Sequence, residues 1–313
     1  MYIPQLNEFP PFNLIKLLST CFDKPTADTS VCILIDLPDL NEMVDLKFLD
    51  SGKFAVQSHA VDKFYKPLGG QLGKEFNVSK VDLFAFKTTF GSNLDPDDEA
   101  IDSSGNILSL EKDVYPHYQI ILAITDYSLT APLTAQAKIH GFRGATLHGL
   151  NDIILNSGLS VDYNDISRQA EVFRNVLTQA DSFDMTFKTS YDQYTLRIDC
   201  DKQEAQKSHG LCPPGEPDVA NLPAGEVYFV PSGADGSFPF KYADGTLAEM
   251  IVENGKIVSA RFICGDEVKV QKRNQQLSED PATGIIGELV LERNYYPFRA
   301  KTYRMRKFLE LVM

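Results

Sequence analysis

The first half of the chain alternates short, continuous apolar runs with helical patterns. The runs are VCILID, VDLFAF, YQIILAI and GATLHG, at residues 31–36, 81–86, 118–124 and 144–149. Continuous apolar runs of this length are typical of strands that are buried on both faces, as in a parallel sheet with helices packed against it. The pattern therefore predicts an α/β N-terminal domain with a mainly parallel sheet.

One β-α-β unit is visible around the third of these runs. It is followed by LTAPLTAQAKIHG, in which Thr130 is a candidate N-cap, Pro132 stands in the first turn and Gly141 follows the last turn. Strand character resumes directly afterwards in FRGATLHG. We therefore expect a crossover helix between two parallel strands.

A long amphipathic helix is predicted from about residue 165 to residue 181, behind the possible cap Asn164. Its apolar residues recur at three- and four-residue spacing, which places them on one face. They are Ile166, Ala170, Phe173, Leu177 and Ala180. We expect this helix to close the first domain, residues 1–182.

From residue 183 onward the apolar residues follow a period of two. MTFKT and YTLRID flank the short loop SYDQ, and LAEMIVENGKIVSARF turns on the pair Asn254–Gly255. An Asn-Gly pair favours a type I′ hairpin because both residues tolerate a positive φ. Residues 183–313 are therefore predicted to form a mainly antiparallel β (α+β) C-terminal domain.

The net charge and the cysteines indicate which binding partners and which cellular compartment to expect. The chain has 313 residues and a formal net charge of -13, which disfavours binding to the phosphate backbone of nucleic acids. Its five cysteines are scattered and contain no C-x-x-C pair, as expected of reduced thiols in the cytoplasm. No secretory leader and no 18-residue apolar run is visible, so we expect a cytoplasmic protein without a membrane partner.

The common cofactor and nucleophile motifs are absent from the sequence. LPDLNEM follows the first strand where a dinucleotide-binding protein would carry G-x-G-x-x-G, and there is no G-x-x-x-x-G-K-[ST] or G-x-S-x-G. The five histidines are never paired at metal-binding spacing. These absences argue against a Rossmann oxidoreductase, and the parallel sheet is not by itself evidence for a bound nucleotide.

Two carboxylates at the starts of apolar strands are the candidate site residues. ANLPAGEVYFVP places Glu226 after a Pro-Ala-Gly turn, and GIIGELVL places Glu288 directly after a glycine. A charged carboxylate in such a position costs several kcal/mol if it stays unpaired, so it needs a cation. Spacing alone leaves open whether that cation is a metal ion or a basic side chain.

A family resemblance favours the metal ion. The blocks NLPAGEVYFVP, GSFPFKYADGT, IVENGKIVSA and GIIGEL, within residues 205–289, resemble the C-terminal half of the aminopeptidase T family of metal-dependent aminopeptidases. The resemblance implies a two-metal cluster of zinc or cobalt held by Glu226, Glu288, a histidine, a tyrosine and a closing His-x-Asp pair. It also implies a peptide substrate, cleaved at its N-terminal residue, and a possible homodimer.

Residues 290–313 depart from the family pattern, which continues with DEKxxGTxH and the His-x-Asp pair. They contain no histidine and no aspartate, and their last 21 residues hold six basic residues against one acid. Read one base out of register, with permitted third bases, the same codons can encode GTQLLPFSGKDIQDEKIFGTCH. We therefore expect a frameshift near Glu288 or Leu289, natural or introduced by sequencing, as the source of the basic tail.

Counting metal ligands gives the expected consequence. Each ion of a two-metal site needs three or more protein donors, and two carboxylates do not supply them. We expect an aminopeptidase-like protein with no assigned catalytic residue, substoichiometric metal and lost or weak activity. The alternatives are a dihydroxypyridine ring-cleaving dioxygenase-like protein, whose iron-binding histidines would fall in the same tail, and a non-enzymatic protein on the same scaffold.

Overall fold

The structure is a computed structural model that describes residues 9–293 and 307–312, with side chains described for 9–291. The described residues form two compact units. The first contains residues 9–168 and 208–225, and the second contains 169–207, 226–293 and 307–312.

The strands and helices are numbered along the chain. The strands are β1 (Thr29–Leu37), β2 (Val78–Lys87), β3 (Glu99–Ile101), β4 (Ile107–Ser109), β5 (Ile120–Ala123), β6 (Arg143–Thr146), β7 (Ser182–Lys188), β8 (Gln193–Asp199), β9 (Gln206–Ser208), β10 (Val219–Asn221), β11 (Glu226–Phe229), β12 (Gly233–Lys241), β13 (Leu247–Glu253), β14 (Lys256–Cys264), β15 (Glu288–Arg293) and β16 (Lys307–Val312). The helices are α1 (Leu14–Phe22), α2 (Ala55–His59), α3 (Lys66–Leu68), α4 (Gln71–Glu75), α5 (Thr130–His140), α6 (Asp152–Leu155), α7 (Tyr163–Gln179) and α8 (Glu267–Glu279). Short 3-10 segments (Leu40–Ser51, Tyr115–His117) and π-helical segments (Ala60–Tyr65, Leu110–Val114) lie between them.

The first unit is built on a seven-stranded sheet in the order β10-β6-β5-β1-β2-β3-β4. The neighbours from β10 to β2 pair in parallel, whereas β3 and β4 are attached antiparallel at one edge. The prediction of a mainly parallel N-terminal sheet is therefore confirmed.

Strand β1 is buried on both faces of this sheet, as its continuous apolar run predicts. Val31, Ile33 and Ile35 belong to the core on one side, and Cys32 and Leu34 belong to the core on the other. Successive side chains of a strand point to opposite faces, so β1 contributes side chains to the hydrophobic cores on both sides of the sheet.

The two predicted helices are present, with different starts. Thr130 is the first residue of α5 rather than its cap, and its hydroxyl is hydrogen-bonded to the Thr146 hydroxyl at 2.7 Å. Gly141 ends the helix in the left-handed conformation, as predicted. Helix α7 begins at Tyr163, so Asn164 lies inside the helix and is not its cap. Asp162 precedes the helix, and its carboxylate accepts the backbone N–H of Asn164.

The second unit contains two sheets. One is five-stranded and antiparallel in the order β14-β13-β12-β8-β7, and the other is ordered β16-β15-β11-β9. Asn254 and Gly255, between β13 and β14, have φ values of 50° and 75°, as a type I′ turn requires. The prediction of an antiparallel C-terminal part is confirmed.

Among the described residues, no helix combines the length and the apolar character that crossing a membrane requires.

Candidate functional site

The two predicted site residues open neighbouring antiparallel strands. Glu226 is the first residue of β11 and Glu288 is the first residue of β15. In the ladder between these strands Glu226 is opposite Glu292, and Phe229 is opposite Leu289. The structure therefore brings both glutamates to one β-ladder, at its two opposite ends.

Both glutamates lie on the same face of that ladder. Residues directly opposite each other share a face, and faces alternate along each strand. Val227, Phe229 and Leu289 are buried in the core of the second unit. The opposite face therefore carries Glu226 and Glu288, and the side chains of both are half-buried.

Core packing fixes which side of the ladder the acids occupy. A shift of the register by one residue would exchange the apolar and polar faces, and it would expose the buried phenylalanine and leucines. The local sequence, in which acids and buried apolar residues alternate, is thus sufficient to orient the two carboxylates.

Four residue positions separate the glutamates along the ladder, which corresponds to roughly 13 Å. Tyr228 and its ladder partner Val290 lie between them on this face. Metal–carboxylate bonds are about 2.0–2.2 Å long, so one shared ion would require both side chains to extend fully across Tyr228. The spacing suits one ligand for each of two ions better than two ligands for one ion.

The pKa of Tyr228 shows the effect of the two carboxylates on this face. Its pKa is raised, first by burial and then by the negative charges of Glu288 and Glu226. Because ionisation would add a third negative charge, the phenol keeps its proton and remains a hydrogen-bond donor. The face as a whole favours a cation over an anion.

The ligand set is small in the part of the chain that the structure describes. No group of three or more His, Cys, Asp or Glu residues there could hold a metal ion. Glu292, the ladder partner of Glu226, is a further acid at this position that the sequence analysis does not single out. Positions 288, 290 and 292 of a strand share one face, so Glu292 in ELVLE lies on the same face as Glu288. That spacing is the sequence signal for Glu292.

The basic tail contributes a strand next to Glu288. Strand β16 pairs antiparallel with β15, with Val312 opposite Glu288 and Lys307 opposite Arg293. Residues 294–306, which contain most of the tail's basic residues, lie outside the described part of the chain. The backbone of the tail's last residues thus extends the sheet that carries the candidate site.

No protein-family model and no curated protein matches this chain. The resemblance to the aminopeptidase T family therefore rests on the four sequence blocks and stays a prediction.

Proposed function

We propose that this chain has the scaffold of a metal-dependent aminopeptidase, with Glu226 and Glu288 at metal-ligand positions, and that in its present form it has little or no peptidase activity. The observation that supports the scaffold is the pair of half-buried carboxylates on one face of the β11–β15 ladder, on either side of Tyr228. Hard oxygen ligands of this kind suit divalent cations.

The chemistry expected of such a face is peptide hydrolysis. A pair of bound zinc or cobalt ions would lower the pKa of a water molecule and polarise a peptide carbonyl. In this chain Glu226 and Glu288 would bind, and Tyr228 would keep its proton because burial and both carboxylates raise its pKa. The buried side of β11 and β15 would hold the ligands in place.

The residues present do not fit a closed two-metal site. Two carboxylates do not provide three donors for each ion, and residues 290–313 supply neither histidine nor aspartate. We therefore derive no catalytic step through the metal. The proposal is a peptidase-like protein whose ligand set is incomplete, which makes loss of activity its expected property.

The direct test measures metal content and turnover. The purified chain is expected to bind less than one equivalent of zinc or cobalt by elemental analysis and to leave aminoacyl-anilides uncleaved. Stoichiometric metal together with turnover would contradict the proposed incomplete site. Iron content with oxygen uptake would instead favour the dioxygenase-like alternative.

The gene provides a complementary test. The nucleotide sequence across codons 285–313 and beyond is expected to carry DEKxxGTxH in the neighbouring reading frame. Expression in that frame should give stoichiometric metal, which E226Q and E288Q should remove and E253Q, an exposed acid at the end of β13, should leave unchanged. A neighbouring frame without this block would refute the frameshift.

We place the protein in the cytoplasm and expect a peptide as the substrate of the restored form. The cysteines are free, and four of the five are buried, which agrees with a reducing compartment. A homodimer is proposed from the resemblance alone, and gel filtration with light scattering measures it.

A further inference from the structure

The sheet of the first unit contains a topological switch point. β1 lies between β2 and β5, and the three strands run parallel. After β1 the chain first adds β2 next to one edge of β1, and it later adds β5 next to the other edge. Ligands of open α/β sheets bind outside the carboxyl ends of the strands at such a point.

A buried carboxyl group lies at this position. Asp36 is the penultimate residue of β1 and is only 1% exposed. Its Oδ1 accepts the backbone N–H of Asp126, just beyond β5, at 2.9 Å and the side-chain amide of Gln57 at 3.0 Å. Gln57 comes from α2, the helix that follows β1, and is completely buried.

The amide nitrogen of Gln57 is surrounded by acceptors. It lies 2.9 Å from the Asp36 carbonyl oxygen, 3.0 Å from Asp36 Oδ1 and 3.2 Å from Asp126 Oδ2. An amide nitrogen has only two N–H donors, so three oxygens converge on a group that can satisfy two. Within the described residues, neither carboxylate forms an ion pair.

One further oxygen at this point, Gln57 Oε1, has no hydrogen-bond partner among the described residues. Gln57 is completely buried, and the neighbouring Thr88 is also buried. Thr88 directly follows β2, and its hydroxyl lies beside the Asp36 carboxyl, where it acts to lower the pKa of Asp36. Buried polar atoms without partners indicate a missing ion or water.

We propose that Asp36, Gln57, Thr88 and Asp126, the switch-point cluster, bind a hard divalent cation of the magnesium type. All the available donors are oxygens, and Mg²⁺ prefers one or two carboxylates together with several water molecules. Zinc would favour imidazole or thiolate ligands, which the cluster lacks.

The Gln57 amide lies next to both carboxylates of the proposed site. Its nitrogen lies 3.0 Å from Asp36 Oδ1 and 3.2 Å from Asp126 Oδ2, and rotation of the planar amide would place the unpartnered Oε1 there as a third ligand oxygen beside the two carboxylates. Asp126 is exposed, so the ion has a path from solvent and room for its waters. This site belongs to the first unit and is independent of Glu226 and Glu288.

The test uses the full chain carrying E226Q and E288Q, so that the candidate peptidase site does not contribute. Mn²⁺, a paramagnetic probe for magnesium sites, is titrated and followed by electron paramagnetic resonance. We expect one Mn²⁺ per chain, displaced by Mg²⁺. D126N should weaken Mn²⁺ binding at least about tenfold, whereas D28N, at the amino end of β1, should leave it unchanged.

A second readout is thermal stability. At one Mg²⁺ concentration, the melting temperature of the parent chain and of D28N should rise more than that of D126N, because the stabilisation by a ligand grows with its affinity for the folded state. Asp126 is exposed, so D126N should fold, and circular dichroism checks this. The proposal is overturned by a parent chain without saturable Mn²⁺ binding, or by a folded D126N that binds like D28N.

Discussion

A buried acid links the protonation state of one residue to the stability of the first unit. Burial raises the pKa of Asp36, and this outweighs the lowering by the Asp126 N–H, Gln57 and Thr88. The negative charge of Asp126 adds to the increase. The folded protein therefore binds the Asp36 proton more tightly than the unfolded chain does.

The sign of the resulting pH dependence follows from linkage. Stability from the protonated Asp36 should be fully present below the unfolded-state pKa, near 3.8, and should be lost as the pH rises through the higher folded-state pKa. Replacing Asp36 by Asn should remove this loss. The measurement is the free energy of unfolding in urea, as the difference between wild type and D36N across pH 3 to 8.

D28N serves as the matched control because Asp28 is exposed just before the same strand. A difference between wild type and D36N that is constant with pH would show that Asp36 titrates alike in the folded and unfolded chain. Adding Mg²⁺ should reduce the loss at high pH if the switch-point cluster binds the ion.

Single functional residues could be predicted only where the neighbouring sequence makes them stand out. Glu226 and Glu288 stand out because each follows a glycine at the start of an apolar strand, and both are found there. Asp36 closes the apolar run VCILID, and its partners Gln57 and Asp126 are 21 and 90 positions away. A single sequence carries no signal for such long-range contacts.

At the scale of elements, the ring of the first residue of α7, Tyr163, packs so closely against residue 210 that only glycine fits there. Tyr163, the first residue of α7, is fully buried, and its hydroxyl donates to the Gly158 carbonyl at 2.9 Å. Gly210 has a φ of 73°, and a Cβ there would lie 2.3 Å from the Tyr163 ring. Any side chain at 210 must therefore displace this ring.

The substitution Gly210→Ala should destabilise the protein more than Gly149→Ala. Gly149 has a similar φ of 63°, but a methyl group added there would meet no atom within 4 Å, so its substitution carries the backbone strain alone. Overpacking against Tyr163 should add about 1–3 kcal/mol to the loss for Gly210→Ala. Urea unfolding measures both, and equal losses would contradict the close approach.

Elements with strong periodicity were predicted, and weakly patterned ones were missed. The long parallel strands, α5, α7 and the Asn254–Gly255 hairpin all follow a clear pattern of apolar residues or turn residues. Helix α8 was missed because only Val270 and Leu277 of its 13 residues are buried, which leaves little amphipathic signal. β10 has three residues and is too short for its period to be recognised.

At the scale of the whole molecule, the chain passes repeatedly between the two compact units. Residues 208–225 belong to the first unit, although the segments on either side of them, 169–207 and 226–293, belong to the second. Within 208–225, β10 pairs with β6 and completes the parallel sheet. Each unit has its own hydrophobic core, so each can lose structure separately.

Core substitutions should reveal this division by hydrogen exchange. Ile33→Ala in the first core and Leu196→Ala in the second, both fully buried, should each cost about 2–5 kcal/mol. Amide protection of residues 208–225 should fall with Ile33→Ala and persist with Leu196→Ala. Loss of their protection only with Leu196→Ala would assign this segment to the other unit.

The alternation of β1 also restricts how this strand can vary. Odd-numbered positions such as Ile35 supply one core and even-numbered positions such as Leu34 supply the other, with Asp36 on the even side. Inserting or deleting one codon upstream of Asp36 would exchange both sets of side chains and rotate the acid away from Gln57. Aliphatic substitutions of similar volume preserve this division of side chains between the two cores, whereas a change in the length of β1 does not.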